Sequence, residues 1–237
     1  MSGVFNRGFL KMGYPLYPIL RGNNIKDMER EIPDPELVLI AVGETDIHTA
    51  IGDIPPSWSD RTVLLQNELL PKDWEGSQLK NPTVISVWFE KKRGQEYKVI
   101  VPSPIFGPNA ELVNGALTTL NIPSWIVAND EELLFELVRK NLYILTSNIA
   151  GLALPEGATV GELSSDYQQL MQSVSSEILK IQYSLIGKIL DSSALLRSMM
   201  LAFNGDLNHK CMGRSAPARL KRALKLSQKE NITTPTL

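Results

Sequence analysis

The sequence predicts an α/β domain in the first half of the chain and an all-α domain in the second, with a boundary near residue 128. Two observations support this division. The first half contains apolar runs of strand length, such as residues 37–42 and 62–66, which are typical of strands buried in a parallel sheet. From Asn129 onward, apolar residues recur at three- and four-residue spacing, which is typical of helices that pack against a core. We therefore assign residues 1–128 to the α/β domain and residues 129–237 to the helical domain.

The first half alternates between predicted strands and helices. In chain order these elements are a strand at 37–42, a helix at 46–51, a strand at 62–66, a hairpin formed by 83–89 and 96–101, a helix at 109–120 and a strand at 125–127. The order strand, helix, strand at the start is typical of a parallel βαβ unit. The hairpin is expected because both of its runs alternate in polarity and a charged turn at 90–94 joins them.

Two long helices dominate the predicted second half. Asn129 followed by Glu132 is typical of a capping box, so the first helix is expected to begin there and to continue through the uncharged stretch 141–154. That stretch is shorter than the roughly 20 residues that a membrane-spanning helix needs, so it predicts a buried core helix. The second helix is expected to start near Ser164, with its apolar residues on one stripe as far as Ile189.

Composition narrows the classes of function. The 24 basic and 26 acidic residues give a formal net charge of -2, which provides no overall field for nucleic acid or an anionic membrane. One cysteine excludes an internal disulfide, and the N-terminus lacks the pattern of a signal peptide, so a cytoplasmic protein is expected. The two histidines, His48 and His209, stand in no ligand-spaced cluster, so no metal site is expected. A small metabolite is the expected partner.

Five short motifs along the chain occur together in one known family. The strongest is Leu137-Val138-Arg139-Lys140 followed eight residues later by Asn148. The others are the segment from Gly13 to Arg21, the run 37–42 followed by Gly43, the run 63–68, and Gly161-Glu162-Leu163. Together they resemble the ketopantoate reductases, nicotinamide-dependent enzymes that reduce 2-oxo acids. This resemblance covers nearly all of the chain and implies a Rossmann-like N-terminal domain followed by a helical domain similar to the C-terminal domain of 6-phosphogluconate dehydrogenase.

The resemblance implies roles for individual residues. Lys140 would be the catalytic acid, which protonates the alkoxide formed when a hydride reaches the ketone carbon. The implied substrate-binding residues are Asn67, Asn148 and Ser215. The implied cofactor-binding residues are Gly3, Gly8, Arg21, Val42, Gly43 and Asn67. Arg21, at the end of a strand after Gly13, would favour NADP because a guanidinium can hold the additional phosphate in bidentate fashion.

The role of Lys140 sets a requirement on its surroundings. Helical spacing projects Lys140 and Asn148 within about 80° of one another, so both can line one cleft. A lysine with the ordinary pKa of about 10.4 is a weak proton donor at neutral pH. Burial or neighbouring cations would therefore have to lower the pKa of Lys140.

The sequence departs from the family at several positions that bear on chemistry. Gly43 replaces a lysine, and Ser215 falls where the family has its catalytic glutamate. The family's glycine-rich turn and the strand before it should lie upstream of this chain, so only Gly3 or Gly8 stands for that turn and the Rossmann-like domain is expected to be incomplete at its N-terminus. NADP binding is expected to be weak for that reason. By the same resemblance, the family's last helices would lie beyond the proline matched by Pro235.

Structural explanations compete with several of these roles. Arg21 also fits an exposed strand end, Asn67 a turn, and Lys140 a solvated helix face. The basic residues near the C-terminus alternate with leucines, so they are expected to form a solvated helix face rather than a site for anions or nucleic acid. These residues are Arg214, Arg219, Lys221, Arg222, Lys225 and Lys229.

The sequence thus predicts an NADPH-dependent reductase that converts a 2-oxo acid to a 2-hydroxy acid. Two alternatives stay open: a catalytically impaired relative that binds a ligand, and an interaction protein that forms a homodimer through the helical domain. No contact with nucleic acid or with a membrane is expected.

Overall fold

The computed structural model describes residues 1–20, 22–91 and 94–237. These residues form two compact units, Met1–Glu136 and Leu137–Leu237. The first is an α/β unit and the second is helical, which confirms the predicted fold class.

The first unit is built around a mixed sheet. Its helices are α1 (Ser2–Lys11), α2 (Ile25–Glu31), α3 (Ile47–Asp53) and α4 (Ala110–Thr118). Its strands are β1 (Val38–Ile40), β2 (Thr62–Leu64), β3 (Thr83–Ile85), β4 (Phe89–Lys91), β5 (Tyr97–Val99), β6 (Ser103–Phe106) and β7 (Ser124–Ile126). Two 3-10 helices cover Pro56–Arg61 and Pro71–Asp73.

The main sheet has the strand order β1-β2-β3-β6-β7. Strands β1, β2 and β3 run parallel, whereas β6 is antiparallel to β3 and β7 is parallel to β6. Every residue of β2 and of β3 is buried, as expected for central strands that are covered on both faces. The predicted βαβ unit is therefore present as β1, α3 and β2.

The predicted hairpin is only partly right. The pairing next to the turn is confirmed, because β4 pairs with β5 in a separate antiparallel sheet. The predicted pairing of residues 83–85 is wrong, because these residues form β3, which belongs to the main sheet between β2 and β6. A strand that the sequence analysis did not predict, β6, takes the place beside β3, and the Ser103 hydroxyl accepts a hydrogen bond from the Trp88 amide at 2.9 Å. Lys92 and Arg93, in the predicted turn, lie outside the described residues.

The expected strand between Gly13 and Arg21 does not form. Gly13 does end α1, with a φ of 88° that favours glycine, but residues 14–20 have no strand conformation. Pro15 and Pro18 lack the amide protons that a paired strand donates, which accounts for the difference. Tyr14 packs against the core instead, and Arg21 itself lies outside the described residues.

Close packing of α1 on α4 explains one of the glycines near the N-terminus. Gly8 lies in the middle of α1 rather than in a turn, and a Cβ atom added to it would lie 2.4 Å from the Ala116 carbonyl oxygen. The absence of a side chain lets the two helices approach, so that Phe5 and Phe9 are buried in the core of the unit. Gly3 lies in the first turn of α1 in open space.

The second unit contains most of a long helix, α5 (Asp130–Gly151), and four further helices. These are α6 (Val160–Ser165), α7 (Gln168–Ile186), α8 (Ser192–Gly205) and α9 (Ala216–Lys229). The predicted cap of α5 is present, because the Asn129 side chain accepts a hydrogen bond from the Glu132 amide at 3.0 Å. Within the described ranges, no helix combines the length and the apolar character needed to cross a membrane.

The second predicted helix is divided into two. Thr159 and Glu162 form a capping box at the start of α6, and α7 begins after a break at Asp166 and Tyr167. The long helix is therefore shorter than expected. Buried Glu177 on α7 binds the C-terminal segment, since its carboxylate accepts hydrogen bonds from the amides of Thr236 and Leu237.

The contact at Gly8 leads to a stability prediction. Gly8→Ala should lower the free energy of unfolding by about 1 to 3 kcal/mol, because the added methyl group forces α1 away from α4. The matched control is Gly3→Ala, which adds the same methyl group in open space on the same helix and should be neutral or stabilising by up to about 1 kcal/mol. Urea unfolding of the three proteins measures the difference, and equal effects of the two substitutions would contradict the packing argument.

Candidate functional site

The carboxyl ends of β1 and β2 meet at one edge of the main sheet. The buried Gln66 side chain holds them together, because its amide nitrogen donates to the Ile40 carbonyl oxygen at 2.6 Å and lies 3.5 Å from that of Val42. Its amide oxygen accepts from the Leu65 amide at 3.1 Å. The apolar run predicted Gln66 only as part of a strand, because its structural role depends on a contact with a different strand.

The sequence-predicted residues of the first unit lie at this edge. Asn67 follows β2, and its side-chain nitrogen is 3.3 Å from a carboxylate oxygen of Glu44, just beyond β1. Val42 and Gly43 are exposed beside them, and no atom lies within 4 Å of a Cβ added to Gly43. The structure thus brings Val42, Gly43 and Asn67 together at the edge where open α/β sheets bind ligands.

The residue after Asn67 adopts an unusual backbone conformation. Glu68 has a φ of 63°, in the left-handed region that favours glycine. Glu68 therefore keeps the turn at a cost of about 1 to 2 kcal/mol. This strain preserves the position of Asn67 at the end of β2.

A cavity of about 460 Å³ lies elsewhere in the first unit. Lys80, Asn81 and Pro82, immediately before β3, line it together with Phe106 at the end of β6. These positions belong to the amino ends of the parallel strands, because β6 runs antiparallel to β3. The cavity therefore lies at the opposite edge of the sheet from Asn67. We place the candidate site at the Asn67 edge, because open α/β sheets bind ligands at the carboxyl ends of their strands.

Lys140 of α5 has the lowered pKa that its predicted role as a catalytic acid requires. Its side chain is buried, with 9% of the residue exposed, which excludes the solvated helix face. Burial lowers the pKa of Lys140 to about 7, and the positive charges of Arg219 and Arg139 act in the same direction. The ammonium lies 5.7 Å from the centre of the Tyr143 ring. An acid with this pKa can donate a proton at neutral pH.

Both the nitrogen and the oxygen of the Asn148 side-chain amide form hydrogen bonds within the protein. Its nitrogen donates to the Cys211 carbonyl oxygen at 3.0 Å and contacts the Ser147 hydroxyl at 3.4 Å. Its oxygen accepts a hydrogen bond of 2.6 Å from Nη1 of Arg219. Asn148 therefore joins α5 both to α9 and to the segment before α9.

Arg219 corrects an expectation from the sequence. It is 7% exposed, not part of a solvated face, and it lies on the buried stripe of α9. The other members of this stripe are Ala216, Ala223 and Ser227. Small residues at helical spacing around position 219 were the one sequence pattern that could have indicated its burial. The predicted solvent exposure is confirmed for four other basic residues, which are Arg214, Lys221, Lys225 and Lys229.

Ser215 stands at the N-terminus of α9, one turn before Arg219. It is half-buried, its carbonyl oxygen accepts a hydrogen bond from the Arg219 amide at 3.0 Å, and its hydroxyl does not cap the helix. Asn148 and Arg219 are thus hydrogen-bonded within the second unit, the charge of Arg219 acts on Lys140, and Ser215 lies one helical turn from Arg219.

The segment before α9 is fixed by backbone contacts. The amides of Val160 and Gly161 donate to the carbonyl oxygens of His209 and Leu207, and Cys211 donates to Ala158. The Cys211 thiol is fully buried, and burial, with a smaller contribution from Glu162, raises its pKa to about 12. This thiol remains protonated at neutral pH, so it is not a nucleophile.

Metal ligands do not cluster in the described ranges. No group of three or more histidine, cysteine or carboxylate side chains in these ranges could hold a metal ion. In the second unit, the Asn148 amide and the Arg219 guanidinium are groups of the kind that bind anions and carbonyl oxygens.

Comparison with known proteins identifies the fold. No protein-family model and no curated protein matches the chain. Among solved structures, the chain is similar to D-mandelate dehydrogenase in complex with NADH, with a TM-score of 0.58 and 13% identity over 86% of this chain and 75% of that one. A ketopantoate reductase from Ralstonia eutropha gives a TM-score of 0.57 and 15% identity over 85% and 72% of the two chains. The dimeric ketopantoate reductase from Staphylococcus aureus gives 0.55 and 13% over 85% and 73%.

These similarities extend over most of the chain at identities that establish the fold alone. They agree with an α/β part followed by a helical part, as the structure shows. The chain therefore has the fold of the ketopantoate reductases and of D-mandelate dehydrogenase.

Proposed function

We propose that this protein is a nicotinamide-dependent oxidoreductase that reduces a 2-oxo acid to a 2-hydroxy acid, with NADPH as the reductant. The observation that carries the proposal is the buried Lys140, whose pKa of about 7 suits a general acid at neutral pH. The fold supports the same reaction class, because ketopantoate is a 2-oxo acid and mandelate is a 2-hydroxy acid.

The residues at the Asn67 edge of the sheet fit a dinucleotide. Val42 and Gly43 are exposed there, and the open space around Gly43 lets a ligand approach the backbone. Gly3, in the first turn of α1, offers an exposed helix N-terminus of the kind that binds phosphate groups. We propose these residues, with Asn67, as the cofactor-binding set of a dinucleotide-binding domain. When bound, the reduced nicotinamide supplies a hydride to the ketone carbon of the substrate.

Lys140 would complete the reaction by proton transfer. The ketone oxygen gains negative charge as its carbon is reduced, and the Lys140 ammonium donates a proton from Nζ to that oxygen. Neutral lysine is left behind and must be protonated again from solvent before the next turnover. Ser215 has no carboxylate to assist this step, so the lowered pKa of Lys140 is the feature of the described residues that makes it feasible.

A second candidate function is a catalytically impaired relative that binds a ligand or forms a homodimer through the helical domain. The serine at position 215 and the engagement of Asn148 within the protein favour this alternative. Binding of NADPH and a 2-oxo acid without turnover would support it over the reductase.

The first prediction concerns activity. Lys140→Ala should lower the rate of NADPH oxidation with ketopantoate by on the order of 100-fold or more, because the alkoxide loses its proton donor. Lys140→Arg should fail as well, since a guanidinium is too weak an acid. In the wild type, activity should fall as the pH rises through about 7, where the ammonium is lost. The exposed Lys221→Ala is the matched control, and unchanged turnover in Lys140→Ala would refute the role.

The second prediction concerns stability and pH. The folded pKa of about 7 lies below the ordinary value of 10.5, so between these values the unfolded chain binds more protons and the contribution of Lys140 to stability increases with pH. The increase should approach about 1.4 kcal/mol per pH unit within that window. Lys140→Met should remove the increase and be more stable than the wild type near pH 7. Urea unfolding of both proteins across the window tests this, and parallel curves would show that the pKa is not lowered.

The third prediction concerns the cofactor. Calorimetric titration should show weak binding that favours NADP over NAD, and Arg21→Ala should remove the preference because the additional phosphate loses its bidentate partner. This prediction rests on the sequence motif that ends at Arg21. Equal affinities of the wild type for both dinucleotides would contradict it.

A further inference from the structure

The cavity at the amino ends of the parallel strands is lined by both apolar and charged residues. Three of its apolar residues, Leu79, Pro82 and Leu133, are buried, and half-buried Trp74 and Phe106 add two aromatic rings. Its volume of about 460 Å³ is typical of sites for small organic molecules. All of the lining residues belong to the first unit, so the cavity is complete within that unit.

Hydrogen bonds fix the loop that forms one wall of the cavity. The Ser77 hydroxyl donates to the Trp74 carbonyl oxygen at 2.7 Å and accepts from the Leu79 amide at 3.0 Å. The side chain of neighbouring Gln78 donates to the Ile54 carbonyl oxygen at 2.8 Å, just after α3. Because these bonds form within the protein alone, a ligand does not have to order this wall when it binds.

Three exposed charged side chains line the cavity, and they are Glu75, Lys80 and Asp130. Within the described ranges 1–20, 22–91 and 94–237, none of these side chains forms a hydrogen bond or an ion pair. Two carboxylates stand against one ammonium, so the charged lining is negative on balance. A negative lining attracts a cationic ligand and repels an anionic one.

The start of α5 does not reverse this preference. A helix N-terminus carries partial positive charge, which by itself favours anions. In α5 the first turn already contains the three carboxylates of Asp130, Glu131 and Glu132. One of them, Glu132, accepts a hydrogen bond from the Ala128 amide at 2.9 Å. The chain's own carboxylates therefore complement the helix end, and an anionic ligand would add a charge of the same sign.

We propose that this cavity is a binding site for an organic amine with an aromatic body. The ammonium group lies beside the carboxylates of Glu75 and Asp130. The aromatic body packs against Trp74 and Phe106, whose ring faces also attract cations, with indole the stronger of the two. This site is independent of the proposed reductase, because it lies at the opposite edge of the sheet from Asn67.

Three indoles of matched shape test the charge preference by calorimetric titration. Tryptamine carries an ammonium group, tryptophol a hydroxyl group and indole-3-propionate a carboxylate. The wild type should bind tryptamine about 5-fold more tightly than tryptophol, as expected for ion pairs at an exposed site, and should bind indole-3-propionate most weakly. A wild type that does not bind tryptamine overturns the proposal, as does equal affinity for tryptamine and indole-3-propionate.

Exposed charged residues provide variants that should fold like the wild type, which circular dichroism checks. Glu75→Gln and Asp130→Asn should each weaken tryptamine binding by about 2- to 5-fold, and together by about 10-fold. Lys80→Gln should have the opposite effect and strengthen it by about 2- to 5-fold, because it removes the repelling charge. Glu111→Gln, an exposed carboxylate of α4 outside the lining, is the matched control. Unchanged tryptamine affinity in the double variant overturns the proposal.

Two further measurements locate the site. Trp74→Ala should weaken tryptamine binding by about 10-fold or more, since packing and the attraction of the ring are both lost, whereas Trp74→Phe should be intermediate. Unchanged affinity in a folded Trp74→Ala variant overturns the proposal. Saturation with NADPH should leave tryptamine affinity unchanged, and competition between the two ligands contradicts a separate site. A protein that binds tryptamine and not NADPH would refute the proposed reductase and leave the amine site intact.

Discussion

The hydrogen bonds of Asn148 are the interaction on which the rest of the helical unit's site depends. One amide group joins α5, α9 and the Cys211 segment, and each of these three elements supplies one partner. Buried polar groups are costly when they lack partners, so the loss of either the Cys211 carbonyl or the Arg219 guanidinium would remove a hydrogen bond from the buried Asn148 amide. Arg219 is buried within this arrangement, and the low pKa of Lys140 reflects first its own burial and then the positive charges of Arg219 and Arg139.

The α/β unit supports its candidate residues in a different way. There, the parallel strands deliver Val42 and Asn67 to one sheet edge, and Gln66 fixes the spacing between the two strand ends through the Ile40 carbonyl oxygen. Glu68 keeps a left-handed turn although it is not glycine, which means that the geometry after β2 is maintained against a local cost. In both units, therefore, the positions of residues to which the resemblance assigns roles are maintained at a cost to the free energy of unfolding.

The sequence predicted those parts of the fold whose patterns are local. Uniform apolar runs indicated β1 and β2, and helical spacing with a capping box indicated α5. Strand β6 was missed because Pro104 lies inside it, and a strand was wrongly expected at residues 14–20, where two prolines prevent pairing. Arg219 was missed for a different reason. Its partner Asn148 is 71 residues away, and the local indication of burial was confined to the spacing of the small residues Ala216, Ala223 and Ser227 around it.

The Cys211 segment has a practical consequence. The chain has one cysteine, its thiol is fully buried, and its backbone carbonyl is the anchor of Asn148. A thiol reagent can react with this cysteine only when the segment opens, so the reaction rate in the native protein reports local opening at this anchor rather than average flexibility. The natural sequence thus carries a single chemical probe at the centre of the helical unit, and labelling kinetics can follow the ordering of that centre without any engineered reporter.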